Sequence, residues 1–476
     1  MAQPRILSRI AVACIALALA GCASMAPSYE RPAAPVPAQW PTGAAYAQAT
    51  DQGASAADLP WRQFILDTRL QQVVAQALDG SRDLRKAIAS IESARAQYGQ
   101  QRADLFPTVS AGLDASRSRT LNNGTAVTTQ SVSATASVSA YELDLFGKTR
   151  SLTDAALQTY LASAEAARAT RIALIAETAN AWLALAADQD RLATARQTMQ
   201  SAQRSMEITR KRQELGVASA VDTRSAETVY QQARADVAAY TASVAQDRNA
   251  LELLAGGPVA DALLPDALPQ ADGWLAEVPT GLSSEVLLRR PDVLQAEHQL
   301  QSANANIGAA RAAFFPSVSL TASGGIASAT LATLFSGGTG VWSFAPAISL
   351  PIFDGGARQA SLDYYRAEQK VSLNNYESAI QTAFEEVANA LATRGTIGEQ
   401  LAAQRDLVSA AADSERLSTA RYQRGVDTYL NALTAQRTLY SARLNLVTTR
   451  LGELQSRVTL YRVLGGGLAG EVPPAS

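Results

Sequence analysis

Cysteine and histidine are almost missing from this chain, at two and one in 476 residues. The histidine is His298 and the cysteines are Cys14 and Cys22. A zinc-type cluster needs several such ligands, so one chain cannot assemble one. A Ser-His-Asp or Cys-His triad could be built only around His298, which sits in a helical, Gln- and Ala-rich stretch with no Gly-x-Ser-x-Gly elbow nearby. No catalytic residue, metal site or cofactor is therefore expected, and an enzyme is the weakest reading. Net charge is −2 with scattered basic residues, which leaves no nucleic-acid footprint. After the N-terminus no run of about eighteen apolar residues occurs, so no transmembrane helix is expected there. Methionine is scarce too. Beyond Met1 there are Met25, Met199 and Met206, which offer no methionine ladder for a metal ion.

The N-terminus sets the compartment. Arg5 and Arg9 form a short basic region, and Ile10 to Ala20 is an apolar run too short to span a bilayer. It ends in Leu19-Ala20-Gly21-Cys22, which resembles a bacterial lipoprotein signal: small residues before a cysteine that is acylated and becomes the mature N-terminus. On that resemblance residues 1–21 are a signal peptide and Cys22 carries covalent lipid. Cys14 leaves with the signal, so the mature chain has no free thiol and no disulfide. An aspartate after the lipidated cysteine would favour inner-membrane retention; Ala23 and Ser24 follow instead, so the outer membrane is expected. Each buried methylene of an acyl chain adds ~0.8 kcal/mol, and several chains anchor firmly. Residues 22–60, with Pro27, Pro32, Pro35, Pro37, Pro41 and Pro60 among Ala, Gln and Thr, read as an extended strap leading from the lipid.

What the chain has in quantity is repetition. Arg102-Ala-Asp-Leu-Phe-Pro-Thr-Val-Ser110 returns 209 positions later as Arg311-Ala-Ala-Phe-Phe-Pro-Ser-Val-Ser319. Gly99 maps to Gly308, Gly216-Val217 to Gly425-Val426 and Arg234 to Arg443 at the same offset. The mature chain is a tandem duplication. The first copy spans 61–254, the second 292–464, a Pro- and Gly-rich linker covers 255–291, and 465–476 is a tail. From Lys148 to Leu215 there are 68 residues with no glycine or proline, rich in strong helix formers. At 1.5 Å per residue such a helix is roughly 100 Å long. Gly216 turns the chain, and a second helical run covers Ala218 to Ala255. The second copy repeats this from Ala357 to Arg424, turns at Gly425, and continues to Leu464. It also holds Gly395 and Gly398, where a bend or local break is expected. A plain coiled-coil rod would fit these runs alone.

Within each copy sit two alternating segments, at 107–146 and 316–353. Val109, Ala111, Leu113 and Ala115 alternate with polar residues, as do Val132, Ala134, Ala136 and Val138. Val318, Leu320, Ala322 and Ile326 do the same, and Trp342, Phe344, Ile348, Leu350 and Ile352 share a face in Val341 to Phe353. Each pair reads as a hairpin. Four strands with one apolar face cannot close a barrel, and an open edge in lipid leaves backbone groups unsatisfied. The chain must pool strands with copies of itself, giving eight, twelve or sixteen.

Val278-Pro-Thr-Gly-Leu-Ser-Ser-Glu-Val-Leu-Leu-Arg-Arg-Pro-Asp292 and Ala303-Asn-Ala-Asn-Ile-Gly-Ala-Ala-Arg-Ala-Ala-Phe-Phe-Pro316 resemble the lipoprotein branch of the outer membrane factors, the TolC-like channels of tripartite efflux pumps. Tyr141-Glu-Leu-Asp-Leu-Phe-Gly147 resembles the family's strand-to-helix junction, and Arg421-Tyr-Gln-Arg-Gly-Val-Asp-Thr-Tyr-Leu430 its helical-hairpin tip. The resemblance covers essentially the whole mature chain. It implies a mixed α+β membrane protein: a homotrimer with a twelve-stranded barrel, four strands per chain, continuing into a long α-helical barrel in the periplasm. It further implies a periplasmic adaptor docked at the tip and an inner-membrane pump, of the resistance-nodulation-division type, that supplies the energy.

In the family the periplasmic end is closed at rest by charged and tyrosine hydrogen bonds. Carried over, Asp222 matches an aspartate after the first tip glycine, and Tyr422 its tyrosine partner before the second. Asp222 is equally placed to be an ordinary N-cap residue of the returning helix. Two carboxylates that form an acidic ring in many members are Asn431 and Thr434 here, and an arginine that bonds across the gate in some relatives is Asp427. Arg421, Arg424 and Asp427 are the remaining charged gate candidates. Gly216, Val217, Gly425 and Val426 are the expected adaptor-docking turns. The leading function is a passive duct exporting drugs or other small amphiphilic compounds. The outer component of a type I protein secretion or metal-efflux system is the alternative within transport, and a non-pore structural periplasmic lipoprotein the alternative outside it.

Overall fold

The computed structural model describes residues 24–46, 58–269, 273–278 and 283–467. The signal peptide, Cys22 and the end of the tail lie outside them. The elements are α1 (Trp61–Phe64), α2 (Thr68–Gly80), α3 (Arg82–Ala103), β1 (Val109–Asn122), β2 (Thr125–Leu143), α4 (Lys148–Glu214), α5 (Ala220–Ala255), α6 (Pro291–Ala312), β3 (Ser317–Ser328), β4 (Gly340–Ser349), α7 (Ala357–Gln423) and α8 (Tyr429–Val463). Among the described residues no helix is long and apolar enough to cross a membrane. The chain divides into two compact units.

The first unit joins residues 1–33, 89–164 and 295–377 and holds one antiparallel sheet in the order β1-β2-β3-β4. Asn123 and Gly124, with φ of 46° and 79°, make the tight turn between β1 and β2, since both central positions of a type I′ turn need positive φ. The two hairpins of the repeat pair with each other through β2 and β3, leaving β1 and β4 as the edges. The pairing aligns the apolar residues into rows across the sheet: Leu143–Val318–Ile348, Tyr141–Leu320–Pro346, Val109–Val138–Ala322–Phe344, Ala111–Ala136–Gly324–Trp342, Leu113–Ala134–Ile326–Gly340 and Ala115–Val132–Ser328. Alternation alone would not keep these rows on one face, because β2 contributes even positions up to Val138 and odd ones from Tyr141. A bulge between Val138 and Tyr141, with Ala140 at φ 48°, switches the parity. Serine pairs cover the opposite face, with Ser110 and Ser137 hydroxyls 3.2 Å apart and those of Ser323 and Ser343 2.8 Å apart.

β4 ends at Ser349, short of the Val341 to Phe353 expected from alternation. Pro351 has no N–H to give a ladder, so Leu350, Ile352 and Phe353 leave the sheet.

Below the strands, the start of the strap lies along α6. Arg31 clasps Glu297 through Nε and Nη2 at 2.8 and 2.7 Å, and Tyr29 donates to the same carboxylate at 3.1 Å. Asn304 donates to the Pro27 carbonyl at 2.8 Å and Arg311 to that of Met25 at 3.3 Å. The strap therefore advances from Met25 to Arg31 as its partners step back from Arg311 to Glu297. Contact is close because Gly308 has no side chain: a Cβ there would stand 2.7 Å from the Ala26 nitrogen and from Ser151 Oγ. Gly308→Val should lift the strap. Amide exchange over residues 25–31 is expected to rise about tenfold, the equivalent of ~1.4 kcal/mol of local opening energy; unchanged exchange would refute the packing argument.

The second unit joins residues 34–88, 165–294 and 378–476. Its core includes Phe64, Ile65, Leu70, Trp182, Leu183, Leu251 and Tyr461, with the Phe64 and Tyr461 rings stacked at 3.9 Å and the Tyr461 hydroxyl on the Leu59 carbonyl at 2.8 Å. Both copies of the repeat bring the end of the returning helix against the residues just before their own short helix, α3 or α6, and they do so differently. In the first copy the backbones touch: a Cβ on Gly256 would lie 2.3 Å from the Gly80 oxygen, and one on Gly80 2.3 Å from the Ala255 oxygen. In the second copy Arg289 replaces Gly80, and Arg290 reaches across to the Val463 carbonyl at 2.7 Å.

Of the bend or local break expected at Gly395 and Gly398, the break is absent, for α7 runs unbroken from Ala357 to Gln423. Two glycines cost a helix about 1 kcal/mol each. The residues beside them hold the segment in place: Arg394 pairs with Glu453 on α8 at 2.8 Å and Ile397 is buried.

Candidate functional site

The two turns that reverse the long helices share one design. Gly216 has φ 75°, its N–H donates to Gln213 O at 2.9 Å and the Val217 N–H to Arg212 O at 2.8 Å. Gly425 has the same φ of 75°, with bonds to Tyr422 O and from Val426 to Arg421 O, both at 3.0 Å. These are Schellman motifs, which need a left-handed residue that glycine adopts without strain. Val217 and Val426 are each 63 % exposed at these turns, and Leu215, Val221 and Leu430 are also exposed.

Equivalent residues then take different partners. Arg212 and Arg421 are the same position in the two copies, 209 apart. In the second copy Arg421 Nε donates to Asp427 at 3.2 Å. The first copy has Ala218 where Asp427 stands, and Arg212 instead lies over the Tyr422 ring, 4.7 Å from its centroid. Asp427 also accepts from Asn431 at 2.6 Å and from the Thr428 amide at 2.8 Å. Those bonds, the one from Asn431 first, then the amide and Arg421, hold its carboxyl below the usual carboxylate range.

The aspartate–tyrosine bond implied by the family resemblance is not formed within the chain. Asp222 closes a capping box instead: it accepts from the Ser219 N–H at 3.0 Å and hydroxyl at 2.9 Å, and its own N–H donates to Ser219 Oγ at 3.1 Å. Tyr422 Oη is buried without a hydrogen-bond partner among the described residues. The Tyr422 ring packs on Tyr429 at 5.1 Å. Tyr429 in turn sits with Ala202, Ala226, Val229 and Leu433 in a small core. Burial first, then the neighbouring Tyr422 and Asp222, push its phenol up to about 12. Arg424 has no side-chain partner among the described residues, and Thr434 bonds only its own helix, at Leu430 O. Cys22 lies outside them.

Sequence reasoning had passed over Arg212, Ser219 and Tyr429. The repeat offset could have found the first, as the partner position of Arg421, and Ser219 is the capping-box serine three before Asp222. Tyr429 had no signal of its own, since one tyrosine at the start of a helix is unremarkable until four helices meet on it. The Leu-Arg-Arg-Pro-Asp block has a structural duty. Arg290 bonds Asp292 through two nitrogens at 3.0 and 2.6 Å, Glu386 at 2.8 Å and the last carbonyl of α8.

The sequence model of a family described as outer membrane efflux protein matches residues 73–257 and 282–466. The second match begins and ends 209 residues after the first, at the offset of the repeat. Among curated proteins, a toluene efflux pump outer membrane protein, TtgC of Pseudomonas putida, is 50 % identical over 465 residues, covering 97 % of this chain and 96 % of its own. An antibiotic efflux pump outer membrane protein, ArpC of Pseudomonas putida, is 50 % identical over the same shares. Among solved structures, the open state of the Neisseria gonorrhoeae MtrE outer membrane channel is similar with a TM-score of 0.84 at 38 % identity, over 94 % of this chain and 99 % of that one.

Proposed function

The chain belongs to the outer membrane efflux protein family, and from that membership we propose that it is a passive duct completed by three copies. It is the outer membrane component of an efflux pump and has the fold of the TolC-like outer membrane channels. The family is one of transport channels.

One observation carries the reading of a barrel closed by several copies, and the family resemblance supplies the number three. The sheet has a continuous apolar face and two unpaired edges, β1 and β4. An edge in hydrocarbon leaves each N–H and C=O unsatisfied at several kcal/mol. Joining β4 of one copy to β1 of the next removes both edges, and three copies give twelve strands. Lipidation at Cys22 is supported by the strap, whose Met25 is held by Arg311, one residue from the strand-side end of α6. The turns at Gly216 and Gly425, with Val217 and Val426 exposed, would meet a periplasmic adaptor, and an inner-membrane pump of the resistance-nodulation-division type would supply the energy. Arg421, Arg424 and Asp427, with Tyr422 and Asp222, would form the resting gate. Its cargo would be small amphiphilic compounds such as solvents and antibiotics, as the pumps of the relatives TtgC and ArpC are named for. The test is to reconstitute the purified chain in planar bilayers. Discrete single-channel steps from a trimer are expected. A trimer that gives no steps, or a monomeric rod, would defeat the duct.

A further inference from the structure

The six apolar rows give the sheet a depth scale. Neighbouring rows are two residues apart, about 6.8 Å along the strand, so six rows span about 34 Å. At the usual barrel tilt of about 40° that projects to about 26 Å, the height of the apolar band of a membrane barrel. β1 and β2 continue past the top row, where β3 has already ended. The next two rows on the same face are Arg117–Gln130 and Arg119–Thr128. They stand about 5 and 10 Å above the band, at the level where lipid headgroups lie.

Both arginines are exposed, and among the described residues neither has an ion pair or hydrogen-bonded side-chain partner. From Ser116 to Gln130 the hairpin contains no acid. Asp114, the nearest, has even parity in β1 and points to the other face. Two arginines rooted about 6.8 Å apart along one strand face thus bring like charges together with no acid between them. A guanidinium at this depth matches phosphate with a planar fork of donors, and the acyl chains of the same lipid would lie on the exposed Ala115 and Leu113 below.

We propose that Arg117 and Arg119 clamp the phosphate groups of a phosphorylated glycolipid in the outer leaflet of the membrane, one site per chain. This rests on the reading of the sheet as a membrane wall. Wild-type protein and the Arg117→Gln/Arg119→Gln variant are therefore both checked first for trimer assembly and conductance, whose loss in both would refute the wall and not the clamp. The assembled proteins are then incubated with bisphosphoryl lipid A or its fully dephosphorylated form and examined by native mass spectrometry. Wild type is expected to retain the phosphorylated lipid about tenfold better, and the variant to lose that preference with conductance unchanged. Equal retention of the two lipids by wild type, or a preference that survives in the variant, overturns the proposal. A third arm uses inorganic phosphate alone. If it binds wild type and displaces no lipid, the arginines form a free-anion site and the lipid assignment fails.

Discussion

Arg290→Ala is expected to be among the most damaging single substitutions in the chain. The side chain is 8 % exposed and touches four acceptor atoms on three groups, Asp292, Glu386 and the Val463 carbonyl. Val463 is the last residue of α8, so its carbonyl is one that the helix cannot satisfy itself. Alanine leaves that carbonyl and Glu386 without their main donor. Removing one partner of a buried ion pair costs about 3–5 kcal/mol. Here the two carboxylates are partly exposed and water recovers some of that, so about 2–4 kcal/mol is the working figure. Arg290→Lys keeps the charge but not the fork, and should fall between alanine and wild type. Urea unfolding of the assembled protein, followed by heat-sensitive mobility on gels, measures both. A midpoint for Arg290→Ala within error of wild type would show that the clamp is idle.

The same clamp shows what the sequence could and could not reveal. Glycine at 216 and 425, the long glycine-free helix and the alternating strands are local signals, and each gave its element directly. The repeat at 209 said more, because it ties turns, caps and junctions together in pairs. What the repeat could not say is how each copy solves its junction, since Gly80 against Gly256 and Arg290 against Val463 look unrelated until the chain is folded. The bulge at Ala140 was hidden for a like reason: alternation reads parity along one strand, whereas the shift is defined by the strand beside it. At the tip, the sequence offered Asp222 as the N-cap, whereas the cap is Ser219 and Asp222, three residues on, closes its box. Arg421 and Asp427 were legible as charges near a turn, and their pairing needed the second copy's aspartate to be set against the first copy's Ala218. Tyr429 depends wholly on contacts from distant helices.

Tyr429→Ala should loosen the tip more than any change to its charges. The ring is 5 % exposed and packs with residues from α4, α5 and α8, and with Tyr422 from α7. Truncating a buried aromatic costs about 3–5 kcal/mol, less where neighbours collapse into the space. Around it lie Ala202, Ala226, Val229 and Leu433, with Met206, Tyr230 and Tyr422 partly buried against them; the flexible Met206 can fill part of the gap, so the low end, about 3 kcal/mol, is expected. Helix ends freed in this way would leave the aperture, and conductance and vancomycin uptake should both rise severalfold. Asp427→Ala removes an exposed pair, whose contribution is screened by water, and should give a smaller rise. The two variants also separate by pH. Asp427 titrates below its unfolded value, so its contribution is whole above about pH 4 and is lost as pH falls further; wild-type conductance should climb there, and that of Asp427→Ala should not. Tyr429 titrates above its unfolded value near 10. Its contribution is whole below that pH and is lost as pH rises through about 12. Tyr429→Phe keeps the packing and drops the phenol, so it should hold low conductance at neutral pH and abolish the alkaline rise. A Tyr429→Ala channel with wild-type conductance would place the closing contact elsewhere in the tip, with Tyr422 and Arg212 the next residues to truncate.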